Sequence, residues 1–345
     1  MSLLQVTSIS QEERGERILD NISFSIAPFM HTAIMGETGS GKTSLLKIMA
    51  GHVSPVSGEV FYNGGRLLRI PEEKLIQGHK GIAYLSQQSD LPGFLTISQV
   101  LEYANQLDQD AAGRIYEICR ITHLLKRRSD QLSGGEKQRI AIARLLTTSP
   151  GLLLLDEPFS NLDTIHKAIL KQVIHDVGEQ LAITCCMIAH DPQDTLSWAR
   201  QLIVLRNGKI IQEGTSNEIY YAPADEYVAA LGGQYNLVPA ASSKAFLALW
   251  GYSHRPAAII VRPEQLLVSQ DEGVHRSSAS LSSQLLLIMP INALMSTYKE
   301  CSLIPLQHSP TVKPGELGSC RPSQLNHLAM IVRGREPQAD RIWGL

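Results

Sequence analysis

Gly36-Glu37-Thr38-Gly39-Ser40-Gly41-Lys42-Thr43-Ser44 is the stretch on which the reading of this chain turns. It fits the spacing G-x-x-x-x-G-K-[ST], with the strand-like Thr32-Ala33-Ile34-Met35 before it and the helical Leu45-Leu46-Lys47-Ile48-Met49-Ala50 after it. Glycines let successive backbone N–H groups turn inward around a polyphosphate. A helix that starts at the loop aims the positive end of its dipole at the same oxygens. Lys42 adds a point charge for the β and γ phosphates, and the Thr43 hydroxyl is placed to ligate Mg2+.

A second turn of the same kind lies downstream. Leu132-Ser133-Gly134-Gly135-Glu136-Lys137-Gln138-Arg139 runs into a helix through Leu146, so it too presents free N–H groups and a dipole end. The run Leu152-Leu153-Leu154-Leu155 then ends in Asp156-Glu157-Pro158. So apolar a strand belongs in a buried parallel sheet, with its carboxylates emerging at the carboxyl edge, where ligands of α/β proteins bind. Asp156 suits a water-mediated hold on Mg2+, and Glu157 suits polarising an attacking water. Ser160-Asn161-Leu162-Asp163 caps a helix from Thr164 to about Val177, and a further buried strand, Ala182 to Ala189, delivers His190-Asp191. His190, at a second strand end, is a γ-phosphate candidate.

The remaining elements are read from alternation and turn chemistry. Residues 3 to 9 and 22 to 26 alternate as strands, with the polar Gln11 to Arg17 between them as a hairpin loop. Ser57 to Gly65 is a strand running into an Asn-Gly turn, and Gly81 to Ser86 a short strand that delivers Gln87. Apolar residues at helical spacing (Ile97, Val100, Leu101, Ala104) mark the start of a helical insert spanning about 89–146.

Composition narrows the class. The chain has 345 residues with 43% hydrophobic and 19% charged, ordinary for a globular protein of about two domains. The net charge is −2, split as 21 Lys+Arg against 26 Asp+Glu through residue 234 and 10 against 7 beyond it. Neither part carries the basic excess of a nucleic-acid footprint, so no nucleic acid is expected as a partner. No apolar run approaches the 18 or so residues of a membrane span, and the first residues lack a secretory leader's pattern, which makes the cytoplasm the expected compartment. The five cysteines (Cys119, Cys185, Cys186, Cys301 and Cys320) have no metal-ligand spacing and read as ordinary thiols.

Taken in order, Gly36 to Ser44, Gln87, Leu132 to Gln138, Leu155 to Pro158, Ser160 to Asp163 and His190 resemble the motifs of the ATP-binding-cassette ATPases across residues 3 to 235. The resemblance implies an α/β P-loop NTPase of ABC type with a helical insert, and Mg2+-dependent hydrolysis of ATP. Lys42, Gln87, Glu157 and His190 would be the catalytic set, with Gln87 sensing both Mg2+ and the interface and His190 acting as the switch histidine. Thr43, Gln87 and Asp156 would hold the metal. Ser133-Gly134-Gly135-Glu136 would be the signature turn and Asp163 a dimer-contact residue. Members of the family work as head-to-tail pairs, a homodimer or a pair with a homologous cassette, in which one signature closes over the nucleotide of the other. The family's adenine-stacking aromatic has no counterpart between residues 11 and 17, where Arg14 and Arg17 stand instead.

Tyr221-Ala222-Pro223 and Tyr227 to Gly232 resemble the helical exit of importer cassettes, and Ile259 to Leu266, with its Arg262-Pro263-Glu264, resembles a strand of the small OB-like β-barrel that follows the cassette in such importers. The expected organisation is therefore a nucleotide-binding domain over 1–235 and a smaller β-rich domain over 236–345. Residues 284 to 345 offer only short proline-separated strands. An importer ATPase, peripheral on the inner face of the membrane, would serve transmembrane permease subunits and, through them, an external solute-binding protein. The alternatives are an exporter ATPase and a soluble ABC protein acting on nucleic acid or ribosomes.

Overall fold

Two long strands, β1 (Leu4–Glu13) and β2 (Glu16–Ile26), open the chain in a computed structural model that describes residues 2–67, 79–87, 91–189, 191–238, 259–262, 266–269, 285–287 and 329–332. The hairpin between them is tighter than the polar loop expected over 11 to 17. Its turn is only Arg14-Gly15, at φ 52° and 84°. A two-residue turn with both φ positive matches the twist of its strands, so pairing continues into the charged residues, Glu12 opposite Arg17 and Glu13 opposite Glu16. Strand β3 (His31–Met35) leads through the phosphate loop into α1 (Lys42–Met49). Strands β4 (Ser57–Tyr62) and β5 (Gly65–Arg66) flank the expected Asn63-Gly64 turn and complete an antiparallel sheet of order β2-β1-β4-β5.

Then come β6 (Ile82–Leu85) and three helices, α2 (Ile97–Ala104), α3 (Gln109–Ile118) and α4 (Gly134–Leu146), which occupy the stretch expected to be a helical insert. The chain continues through β7 (Leu152–Asp156), α5 (Thr164–Leu181), β8 (Thr184–Ile188), α6 (Pro192–Thr195), β9 (Gln201–Arg206), β10 (Lys209–Gly214) and α7 (Ser216–Tyr221). Helix α5 runs one turn past the expected end, to a left-handed Ala182. Strands β9, β3, β8, β7 and β6 are parallel neighbours in a six-stranded sheet of order β10-β9-β3-β8-β7-β6, with β10 antiparallel at one edge.

Every residue of β7 is buried, because the sheet is covered on both faces. Leu152 and Leu154 pack with Leu45, Leu46 and Met49 of α1 and with Val6, Ile22 and Phe24 of the antiparallel sheet. Leu153 and Leu155 point the other way, into Ile140 and Ile142 of α4 and Leu170, Val173 and Val177 of α5. The period-two alternation of one strand thus joins two cores.

The chain divides into two compact units, Met1–Ala222 and Pro223–Leu345. Within the second, α8 (Glu226–Leu231) precedes β11 (Asn236–Val238), which pairs antiparallel with β12 (Ile259–Val261). Buried Arg262 donates from Nη1 to the carbonyls of Ala229, Gly233 and Gln234 at 3.0–3.2 Å and so satisfies the C-terminal end of α8. Strands β13 (Leu266–Ser269), β14 (Leu285–Leu287) and β15 (Ala329–Val332) form an antiparallel sheet of order β13-β15-β14. Pro263, Glu264 and the prolines between 290 and 322 lie outside the described residues.

Two helical glycines give opposite expectations for the same substitution. A Cβ on Gly178 of α5 would overlap His31 Nε2 and lie 2.8 Å from its Cε1, and that buried imidazole is stacked on Trp198 at 4.8 Å and cannot yield. Gly178→Ala should destabilise the protein by about 2–3 kcal/mol, an overpacking cost. Gly113 of α3 has open space within 4 Å of where a Cβ would stand, so Gly113→Ala should stabilise by about 0.5–1 kcal/mol. Urea unfolding of both variants checks the contrast.

Candidate functional site

The phosphate loop leaves β3 through Gly36, where a Cβ would collide with the carbonyl oxygen of Leu205 on β9. It enters α1 at Gly41, the helix N-cap, which stands at φ 97° with Ile18 O and Leu19 Cδ2 only 2.7–2.8 Å from where a Cβ would be. Both positions therefore require glycine, and the loop backbone is pressed onto β2 and β9. Glu37, Thr38 and Gly39 form the exposed tip, while Ser40, Gly41 and Lys42 are buried beneath it. Lys42 Nζ donates to the carbonyls of Gly36 and Glu37 at 2.9 and 2.7 Å and lies 3.4 Å from Ser40 Oγ. Burial lowers its pKa, against the opposing pull of Glu157, Asp156 and Glu37. Ser44 Oγ donates to Glu13 Oε1 at 2.8 Å, tying α1 to the end of β1.

The carboxyl ends of β6 and β7 meet this loop. Thr43 Oγ1 donates to Asp156 Oδ1 at 3.1 Å, and Tyr84 OH donates to Asp156 Oδ2 at 2.9 Å. Asp156 is 3% exposed; burial raises its pKa, the two hydroxyls offset part of that rise, and the Glu157 charge adds to it. Glu157 sits at φ 49°, a left-handed conformation that costs a non-glycine residue about 1 kcal/mol or more. It is held there by its N–H to Ile188 O at 3.1 Å and by Ser160, whose N–H and hydroxyl both donate to the Glu157 carbonyl. That turn brings the Glu157 carboxylate to Gln87, whose Nε2 donates to Oε2 at 3.2 Å.

Gly36 to Ser44, Gln87, Asp156 and Glu157 thus come together at one sheet edge. Ser133 to Glu136 form a second cluster at the start of α4. Ser133 caps that helix through a capping box, its N–H donating to Glu136 Oε2 at 2.8 Å while Glu136 N–H donates to Ser133 Oγ at 3.3 Å. Asp163 caps α5, accepting from the N–H groups of Ile165 and His166. His190 lies outside the described residues; its neighbour Asp191 caps α6 and pairs with Lys167 at 2.8 Å. Arg17, at the first hairpin, pairs with Asp20 at 3.1 Å.

Two residues escaped the sequence reading. Tyr84 faces Asp156 because β6 lies beside β7 with Tyr84 opposite Leu154, a pairing that only the strand order creates. His166 contacts both Ser133 and Asp163, and its sole signal was its place in the first turn after a capping aspartate.

The donors suit nucleotide phosphates and a hard cation. Where Gly36 and Gly41 stand, a Cβ would push the loop off β9 and β2 and disturb the turn that presents its N–H groups. Among the described residues no group of three or more His, Cys, Asp and Glu gathers into an all-protein metal cage. The Thr43 and Asp156 oxygens match a Mg2+ that brings phosphate and water ligands with it. The described cysteines, Cys119, Cys185 and Cys186, are buried thiols, the first two pushed up to about 12.

A family model described as "ABC transporter" matches residues 19–160. The chain is 34% identical over 285 residues to the Fe(3+) ions import ATP-binding protein of Mesorhizobium japonicum, covering 77% of each chain. It is 32% identical over 283 residues to the molybdate/tungstate import ATP-binding protein of Thermococcus kodakarensis, covering 78% of this chain and 84% of the relative. Among solved structures, cbiO1 from Clostridium perfringens, part of the cbiONQ ABC transporter complex, matches with a TM-score of 0.58 at 24% identity, over 66% of this chain and 93% of that one. The last likeness speaks for the fold alone.

Asp156 lends itself to a stability test. Its folded pKa is raised, so the ionised carboxylate opposes folding, and stability falls as pH rises from the ordinary carboxylate range through the folded value. Asp156→Asn should therefore raise the Tm of the nucleotide-free protein at neutral pH by about 2–4 °C, the shift that 1 kcal/mol produces in a domain of this size. The gain should vanish below the ordinary carboxylate range, as calorimetry against pH would show.

Proposed function

The chain belongs to the family of ABC transporter ATP-binding proteins, and we propose that it is the ATP-hydrolysing subunit of an importer, driving a solute through a separate permease. The observation that carries this is the meeting of Lys42, Thr43, Asp156, Glu157 and Gln87 at one sheet edge. A phosphate loop, a cation-holding carboxylate and a base-bearing glutamate are there assembled for in-line attack on a terminal phosphate.

Each group has a task that its setting suits. The loop N–H groups and the Lys42 ammonium bind the polyphosphate, and the lysine's own bonds to the Gly36 and Glu37 carbonyls keep that charge central. Thr43 and Asp156 would hold Mg2+, which neutralises phosphate charge when bound. Glu157 takes a proton from the attacking water, and its bond to Gln87 aims the carboxylate. His190 is assigned to the terminal phosphate as well. Phosphate-loop donors reach the nucleotide from one side only. Ser133, Gly134, Gly135 and Glu136 of a second copy, or of a homologous cassette, would close the other side and exclude water. Hydrolysis then loosens the pair and is felt as motion by the permease.

Both relatives described above are named import ATP-binding proteins, and that supports import over export. Among the described residues no helix is long and apolar enough to cross a membrane, which suits a peripheral seat on permease subunits at the inner face. The solute, an ion, anion or polyamine, would be chosen by that permease and an external binding protein. The antiparallel strands of the second unit support an OB-like module after the cassette that tethers two copies.

Two outcomes test this. Glu157→Gln should retain ATP binding but lower kcat by about 10^2–10^4-fold, the worth of a positioned base, and should accumulate as an ATP-bound dimer in light scattering. Lys42→Ala should instead weaken nucleotide binding about 10–100-fold, from the loss of charge-assisted hydrogen bonds. A monomeric, fully active Glu157→Gln variant would overturn the assignment.

The permease contact has its own test. Phe94, 76% exposed, lies between Gln87 and α2 and is the expected point of contact. Phe94→Cys should crosslink to a membrane protein in cells, whereas recovery of nucleic acid in its place would favour a soluble ABC protein.

A further inference from the structure

Ser133, His166 and Asp163 form a hydroxyl–imidazole–carboxylate chain across the junction of α4 and α5. Ser133 Oγ lies 3.2 Å from His166 Nε2, and His166 Nδ1 lies 2.5 Å from Asp163 Oδ2. The ring is firmly seated. A Cβ on Gly135 would fall 2.7 Å from His166 Cβ and 2.8 Å from Cδ2, so the imidazole packs directly on the backbone of the second residue of α4. Asp163 is equally fixed, since its other oxygen caps α5 by accepting from the Ile165 and His166 N–H groups.

We propose that His166 is a positioning residue whose protonation state decides whether the Ser133 hydroxyl is able to donate to the phosphate that this turn closes over. The inference rests on the proposed pairing, in which two cassettes sandwich the nucleotide, and adds to it a control point within one cassette.

A carboxylate only accepts, so the bond to Asp163 places a hydrogen on Nδ1. A neutral imidazole with hydrogen on Nδ1 is an acceptor at Nε2, and it takes the single hydrogen of the Ser133 hydroxyl. One lone pair of that hydroxyl already receives the Glu136 N–H. In this state Ser133 turns only its remaining lone pair outward, and a phosphate oxygen, itself an acceptor, is repelled. A protonated imidazole donates from both nitrogens. Nε2–H then occupies the second lone pair of Ser133, and the hydroxyl hydrogen is released toward the phosphate. The step is one proton taken up by His166 as the sandwich closes, with no covalent bond made or broken elsewhere.

The surroundings supply a counter-charge. The charged groups at this junction include Asp163 at the start of α5 and Glu136 from α4, the latter 3.8 Å from Arg127. Asp163 has its pKa lowered by its hydrogen bonds with His166, so it stays ionised as the counter-charge to an imidazolium.

The test compares Glu157→Gln with Glu157→Gln/His166→Gln, reading by light scattering the ATP concentration that half-dimerises each from about pH 6 to about pH 8. In the single variant this concentration should climb with pH across that interval, by up to about tenfold per pH unit for each site. Glutamine keeps a neutral donor near Ser133 and has nothing to titrate in this range, so the double variant should give a flat profile. Should it fold poorly, Ser133→Ala in the same background should flatten the profile too. Parallel slopes in all variants overturn the proposal, because a merely structural histidine would shift every midpoint equally. Absence of any ATP-driven dimer in Glu157→Gln alone overturns the sandwich reading itself, so the two failures are distinct. In the nucleotide-free protein near pH 8, 15N spectra should place the hydrogen of His166 on Nδ1; a hydrogen on Nε2 overturns the proposal.

Discussion

A carboxylate buried at the end of a parallel strand costs free energy unless something meets it, and Asp156 is met from two directions. The Tyr84 hydroxyl arrives from β6 and the Thr43 hydroxyl from the first turn of α1. These partners are 72 and 113 residues away in sequence, so the pairing exists only if β6 lies beside β7 and α1 packs across the sheet near them. Satisfying this one charge therefore constrains the strand order, the seat of α1 and the height of the phosphate loop together. Burial still raises the pKa of Asp156 despite both bonds, which leaves the site short of positive charge. A bound cation would offset that shortfall.

The hydrophobic cores supply the rigidity that this demands. Alternate leucines of β7 enter the core beneath α1 and the core beneath α4 and α5, so the strand that delivers Asp156 and Glu157 is gripped from both sides. The left-handed Glu157 is tolerable in that setting, since Ile188 and Ser160 over-determine its backbone. The same α4–α5 packing that fills one core also sets His166 against Ser133. One packing interface thus serves stability and fixes the neighbour of the Ser133 hydroxyl.

The phosphate loop, the signature turn and the acidic strand end were legible in the sequence because each is a local pattern whose chemistry lies within a few residues. Glycines at 36 and 41, a lysine at 42 and four leucines before Asp156-Glu157 need no long-range knowledge to be read. The length of the first hairpin was less visible. Polar residues 11 to 17 look like a loop by composition, yet a turn at Arg14-Gly15 lets the strands pair through them. Tyr84 looked like one more residue of an apolar strand, and His166 like one more residue of a helix.

By itself, then, the sequence determined that this chain is an α/β nucleotide-binding ATPase of the cassette family, since the glycine, lysine, carboxylate and signature residues follow one another at that family's spacing. Only the tertiary structure decided that Tyr84 answers Asp156, that Gln87 donates to Glu157 and that His166 joins Ser133 to Asp163. The bonds of Tyr84, Gln87 and Ser133 span from 33 to 72 positions and depend on which strands and helices become neighbours. Neighbourhood is set by the burial of two hydrophobic faces on one sheet, a property of the folded whole that no short stretch of residues carries.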